Sequence, residues 1–169
     1  PRMTFEEASV RRDFTINSIG FDPIQQQWLD PHRGQEDLKK GILRHVGPAF
    51  AEDPLRVLRG AQFAARLNFQ LAPETLELCQ TLDLNELSRE RLLGEFAKLL
   101  LRAERPSIGL EILRQTKTLR FFPELEALID VPQDPTWHPE GCVWTHTLVV
   151  VDEAAKLRVG NEKADLVLM

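Results

Sequence analysis

The sequence has no tyrosine and only two cysteines in 169 residues. Cys79 and Cys142 stand far apart and neither belongs to a C-x-x-C pair, which excludes a cysteine zinc site and fits a chain of the reducing cytoplasm. No apolar run approaches ~18 residues, so no spanning helix is expected, and nothing reads as a secretory signal. Internal repeats and low-complexity tracts are also missing. So is any D-x-D pair of the kind that holds divalent metal between close carboxylates. The adjacent acids Glu36-Asp37, Glu52-Asp53 and Asp152-Glu153 fall on expected helices or helix starts. Neighbouring helical side chains diverge by about 100°, so these pairs do not substitute for it.

What is present suits a folded chain: 43% of residues are hydrophobic and 28% charged, enough for one or two small cores. The net charge of −5 is unevenly divided, with 10 basic and 9 acidic side chains in residues 1–70 and 11 and 17 in residues 71–169. Fifteen of the 21 basic residues are arginine, whose planar fork suits bidentate contacts to phosphate or carboxylate. An acidic chain can still bind RNA through a local basic patch.

The chain is organised around FAEDPLRVLRGAQFAARLNF, Phe50 to Phe69. Asp53 favours an N-cap, and Pro54 is pre-organised for the first helical position. Asp53, Arg56 and Arg59 then follow one ridge of a helix whose other faces are apolar. By itself this pattern is also an ordinary capped helix with solvated arginines.

Upstream, RRDFTINSIG turns Phe14, Ile16 and Ile19 to one side and keeps Arg12, Asp13 and Asn17 together on another. Phe21–Pro23 and Gln27–Pro31 read as two short strands around a turn at Ile24–Gln26. Glu36–Lys40 is a helical turn and Ile42–Val46 a strand, closed by Gly47-Pro48. Beyond residue 50 only helices are expected: Pro73–Leu82, one capped by Ser88, Pro106–Gln115, a short one within Phe121–Ile129, and a last one from Val143. Pro132, Pro135 and Pro139 mark a linker.

RRDFTINSIG, DPHRGQEDL and EDPLRVLRGAQFAARLNF, in this order and spacing, resemble the bacterial tRNA nucleotidyltransferase (CCA-adding) and poly(A) polymerase family. SRERLLGEFAKLLL is similar to the family's helix-bracing segment, and WHPEGCVWTHTL resembles the opening of the HD phosphohydrolase domain fused to some members. The resemblance implies an α+β fold, with a small β-containing remnant of the nucleotidyltransferase head followed by a mostly helical neck and body. It divides the chain into residues 1–47 of the head, 48–115 of a nucleotide-selecting, RNA-binding neck, and 116–169 of body and HD start. It further implies that Arg12, Asp13 and Asn17 contact the sugar and phosphates of a nucleotide, that Asp53 and Arg56 read its base, and that Arg59 makes a phosphate or nucleotide contact. The partners implied are CTP, ATP and the tRNA 3′ end. The Mg²⁺ ligands would lie outside this chain, because the family's aspartate pair is not among these residues. The implied reaction adds C, A or both and releases pyrophosphate, with no membrane involved. The ends look cut, so the chain reads as an internal piece that would not transfer nucleotides alone.

The chemistry of base reading agrees with the implied roles. Adenine and cytosine each present an amino donor beside a ring-nitrogen acceptor, and a carboxylate beside a guanidinium complements that edge. Guanine and uracil reverse the pattern, and each buried mismatch costs about 1–3 kcal/mol. Two positions depart from the family pattern. Gln62 stands where arginine is common, which puts a phosphate contact there in doubt, and Ser18 replaces a frequent alanine. His146 matches the first histidine of an HD-type site, implying a second divalent metal whose other ligands would follow Met169. His138 is expected to organise the proline-rich entry, and His32 and His45 to be structural or exposed. Polyadenylation of RNA, a non-catalytic RNA-binding helical module, and an HD phosphohydrolase with a degenerate head are the competing readings.

Overall fold

The computed structural model describes residues 3–169. Its first part is small and stitched by side chains. Helix α1 (Phe5–Ser9) opens with a capping box, in which the Thr4 hydroxyl accepts the Glu7 N–H and the Glu7 carboxylate accepts the Thr4 N–H. After a 3₁₀ turn at Thr15–Asn17, β1 (Gly20–Asp22) pairs antiparallel with β2 (Gln27–Leu29). The Asp22 carboxylate closes their turn by accepting the N–H groups of Ile24 and Gln25. Asp30 accepts the N–H groups of Gly34 and Gln35 and so starts α2 (Gly34–Lys40), where a carboxylate suits the positive helix end. Buried Asp37 of α2 then receives the Thr15 hydroxyl and the Arg44 guanidinium.

The strand expected over residues 42–46 is divided between two partners. β3 (Ile42–Leu43) pairs in parallel with β4 (Gln70–Leu71), while His45 bridges Phe14 in antiparallel fashion. The Thr15 N–H donates to Arg44 O, and the Val46 N–H to Asp13 O. β4 ends where Pro73, lacking an N–H, opens the next helix. β4 was not expected, because two residues are too few to show an alternating pattern. Through these pairings Asp13 is held at a fixed place beside the helical part.

That part contains α3 (Leu55–Leu67), α4 (Pro73–Thr81), α5 (Arg89–Arg102), α6 (Pro106–Gln115), α7 (Pro123–Glu126), α8 (Val143–Lys156) and α9 (Glu162–Leu168). The architecture is α+β, with two-stranded sheets early and a helical body after them. α3 packs against α5 and α6, α8 against α6, and α9 against α5. Val57, Ala61 and Ala64 of α3 are fully buried with Phe14, Phe50, Leu99 and Leu113 around them. Small residues let the backbones approach: a Cβ on Gly109 of α6 would lie 2.7 Å from the Ala61 carbonyl oxygen. Burial also pushes the Cys79 thiol up to about 12, so it serves as a small apolar side chain.

Two helical expectations change in detail. Within Phe121–Ile129 only Pro123–Glu126 is α-helical, preceded by a 3₁₀ turn at Thr118–Phe121. The last helix is two helices, broken where Gly160 takes φ +80° and Asn161 caps α9 by accepting the Ala164 N–H. None of the described helices is long and apolar enough to cross a membrane.

Candidate functional site

The Asp53-Pro54 start of α3 stands beside the Arg11–Asp13 segment that follows α1 and the first turn of α5. Asp53 is extended, Pro54 is helical, and the Asp53 carboxylate accepts the Leu55 N–H at 3.3 Å, so the expected cap is present. Between these elements opens a cleft of about 300 Å³ lined by Arg11, Arg12 and Asp13, by Asp53, Leu55, Arg56 and Arg59, and by Arg91. Five arginines against two aspartates leave it electropositive.

Five of the six residues expected to handle a nucleotide line this cleft: Arg12, Asp13, Asp53, Arg56 and Arg59. Asn17, the sixth, supports it from behind, donating its amide to Asp13 Oδ1 at 2.9 Å. The same oxygen accepts the Phe14 N–H, and Asp13 Oδ2 receives both Nε and Nη2 of Arg59, at 2.8 and 2.5 Å. Burial pushes the Asp13 carboxyl up, but the hydrogen bonds from Asn17 and Arg59, together with the Arg59 charge, outweigh it and hold the group below its ordinary value. Asp13 thus fixes Arg59. Arg59 also lies 5.3 Å from the ring centre of Phe63, on the face of α3 that carries Arg66 over the same ring at 6.0 Å.

Asp53 and Arg56 share the cleft without bonding to each other. Arg56 donates to the backbone oxygens of Ala49 and Arg11, at 2.5 and 2.7 Å. The Asp53 carboxylate is clasped by Arg91 Nη2, at 2.8 and 3.0 Å from its two oxygens. Arg91 was missed as a site residue. Its only sequence signal was membership of the helix-bracing segment, since 38 positions separate it from Asp53. Among the described residues the exposed Arg12 side chain makes no hydrogen bond or ion pair. Gln62 is 2% exposed, bonded to Arg66 on its own helix, and not part of the cleft lining.

A second group of polar side chains forms at the start of α8. His146 Nδ1 shares a short contact with Glu140 Oε1, and His138 Nδ1 lies 3.6 Å from the same oxygen. The Glu140 carboxyl is held below its ordinary value by its own backbone N–H and by the His146 ring. His32 bonds to Ser9 and His45 to Thr75, in keeping with structural roles.

Comparison with known proteins matches two segments of the chain. Residues 2–44 match the poly A polymerase head domain, and residues 68–129 match a family described as the probable RNA and SrmB-binding site of polymerase A. A multifunctional CCA protein of Pseudomonas fluorescens is 47% identical over 163 residues, covering 92% of this chain and 39% of the relative. The Bacillus stearothermophilus CCA-adding enzyme in complex with CTP is 37% identical with a TM-score of 0.59, over 65% of this chain and 29% of that one. A tRNA nucleotidyltransferase complexed with a primer tRNA and an incoming ATP analog is 28% identical with a TM-score of 0.58, over 98% and 54%. The chain spans about two fifths of the length of the curated relatives it matches.

Proposed function

Because the chain belongs to the bacterial CCA-adding and poly(A) polymerase family, we propose that the whole protein is a template-independent RNA 3′-end nucleotidyltransferase and that this chain supplies its nucleotide-selecting cleft. The reaction would be attack of an RNA 3′-hydroxyl oxygen on the α-phosphorus of CTP or ATP. One O–P bond forms as the bond to the β-phosphate oxygen breaks, and pyrophosphate leaves. The tRNA 3′ end is the acceptor that fits the relatives best. In this reading residues 1–47 belong to the head, 48–115 to the neck and 116–169 to the body. The free thiols of Cys79 and Cys142 fit a cytoplasmic setting.

The observation that carries the reading is the cleft itself, in which an acid and an arginine of one helix turn stand beside arginines of the head and of α5. Arg12, exposed and free among the described residues, is suited to the phosphates. Asp53 would accept the amino group of cytosine or adenine, and Arg56 would donate to the neighbouring ring nitrogen. For that, Asp53 exchanges Arg91 for the base and Arg56 exchanges the Ala49 and Arg11 carbonyls. The first exchange is cheap, because the Arg91–Asp53 side chains are 47% and 35% exposed, and such pairs are worth about 0–1 kcal/mol. Asp13 takes no part in chemistry and holds Arg59 in position.

Mg²⁺ does not fit the acids of this cleft. Both oxygens of Asp13 and both of Asp53 are already taken by donors, and the two carboxylates sit in an arginine-rich lining. The metal-bound part of the reaction is assigned to residues outside this chain.

The test is incorporation of all four nucleotides by the whole protein on tRNA lacking its 3′ end. CTP and ATP should be strongly preferred over UTP and GTP, and Asp53→Ala or Arg56→Ala should relax or abolish that preference. Wild-type ratios retained in both variants would remove the base-reading role and leave Asp53 as a helix cap. Use of ATP alone, on RNAs of any 3′ end, would favour polyadenylation.

A further inference from the structure

Resting on the base-reading role given to Asp53, we infer that Glu95 is a positioning residue for the nucleotide cleft: its buried carboxylate receives the Arg91 guanidinium when a base takes the place of Arg91 on Asp53. In the empty cleft Arg91 Nη2 holds both oxygens of Asp53, at 2.8 and 3.0 Å. A base that donates its amino group to Asp53 displaces that guanidinium, which then needs another acceptor. Glu95 follows Arg91 by four positions on α5, so the two side chains lie on one face of the helix, about 6 Å apart along its axis. Glu95 Oε1 accepts Lys98 Nζ at 2.7 Å, while Oε2 is shielded from solvent and has no partner among the described residues.

Burial is what suits Glu95 to this role. Leu92, Phe96 and Leu99 of the same helix pack in the hydrophobic core, and Glu95 is buried with them. A carboxylate offers about four lone-pair sites, so one lysine leaves it short of donors. Solvent does not reach Oε2, and the missing donor has to come from a side chain. Among the cleft arginines, Arg59 is fixed on Asp13 and Arg56 on the carbonyls of Ala49 and Arg11, while Arg11 and Arg12 belong to the segment after α1. Arg91 alone among them shares a helix with Glu95.

Arg91 thus has two acceptors on offer. The partly exposed pair with Asp53 is weak, but reaching Oε2 strips water from the guanidinium, so Asp53 prevails while the cleft is empty. A ligand shifts such a balance only by binding one arrangement better, and a base held by Asp53 binds only the one that Arg91 has left. Release that ends in a charge-assisted bond to Oε2 costs less than release into water. Glu95 therefore raises nucleotide affinity while touching no part of the nucleotide. Cytosine and adenine would both use Asp53, so the gain is the same for CTP and ATP.

The experiment is equilibrium binding of CTP and of ATP to the whole protein by calorimetry, followed by steady-state addition to tRNA lacking its 3′ end. Glu95→Gln should weaken both nucleotides equally, by about fivefold, the worth of one net hydrogen bond, and should raise KM with kcat unchanged. In an Arg91→Ala background the same substitution should change nothing, because the side chain it serves is gone. A structural role would add to the Arg91→Ala loss instead. Glu95→Met, which fills the same space without charge, should repeat the loss in a protein that melts no lower than wild type. Glu124→Gln, on exposed α7 and remote from the cleft, should bind as wild type does. Wild-type affinity in Glu95→Gln, additive losses with Arg91→Ala, or a loss confined to one nucleotide would each overturn the inference and leave the base-reading cleft standing. A wild type that binds neither CTP nor ATP would overturn both.

Discussion

Arg59 and Asp13 meet across 46 positions of sequence, with two guanidinium nitrogens on one carboxylate oxygen. This bond ties the head segment to the central helix. The arginines of the cleft differ in how they are held. Arg59 is fixed, Arg56 is parked on backbone carbonyls, and Arg12 is free among the described residues.

Asp13→Asn should therefore destabilise the protein by about 1–3 kcal/mol, since the side chain is 7% exposed and its charge-assisted bonds are lost. The pH dependence has a definite sign. A carboxyl held below its unfolded value contributes stability that is fully present above that value, 3.8 for a free Asp here. The contribution is lost as pH falls through the lowered folded value. The gap between wild type and Asp13→Asn in urea unfolding should be constant from pH 7 to about 5 and shrink below 3.8. A gap that stays unchanged down to pH 2 would show that Asp13 is not held as the anion by Arg59.

Arg91→Ala tests the partner of Asp53. The pair is exposed enough that stability should change by less than ~1 kcal/mol. If the whole protein carries out the proposed reaction, removing one of five cleft arginines should still raise KM for CTP and ATP, by roughly fivefold for about 1 kcal/mol, without changing the preference among bases. The rise should fade at high salt. A selective loss of one nucleotide would instead give Arg91 a part in base reading.

The local parts of this site were legible in sequence and the long-range parts were not. Asp53-Pro54 announces a helix start because capping chemistry acts within three residues, and the structure keeps that hydrogen bond. Arg12, Asp13 and Asn17 could be grouped because they are neighbours in the chain. That Asp13 would take Arg59, or Asp53 take Arg91, depends on how α3 and α5 lie against the head, which no local pattern encodes. The acidic pairs illustrate the converse. Asp152 turns to Ser107 and Glu153 to Lys156, diverging as the helical angle requires. Other signals were present but unread, among them Thr4 with Glu7 as a capping box and Gly160-Asn161 as a break and restart. Glu140 carried no signal, because only the loop closed by the Pro132–Cys142 bridge brings it between two histidines.

Gly109→Ala should cost about 1–3 kcal/mol through overpacking, because the new methyl would lie 2.3 Å from Leu99 and 2.7 Å from the Ala61 oxygen. The Leu99 side chain can rotate away, but the backbone oxygen of α3 cannot. A control at Gly94, where an added Cβ meets nothing within 4 Å, should be neutral or slightly stabilising from helix propensity. Equal melting temperatures for the two variants would mean that α3 and α6 are free to separate.

Glu95 carries the last prediction. It is 4% exposed on α5, where Oε1 accepts Lys98 Nζ at 2.7 Å and Oε2 has no partner among the described residues. A buried carboxylate costs desolvation energy that a single, 39% exposed lysine repays poorly. Replacing it with an apolar side chain of similar length removes that cost, as replacements of buried ionic groups often do. Glu95→Met should thus keep or raise stability by up to about 2 kcal/mol. Glu95→Ala should lose stability, because it removes the same charge but leaves a void between α5 and its neighbours. The pair of variants separates charge from volume in one thermal or urea experiment. If Glu95→Met lost more than ~1 kcal/mol, the unpaired oxygen would have a donor of real worth.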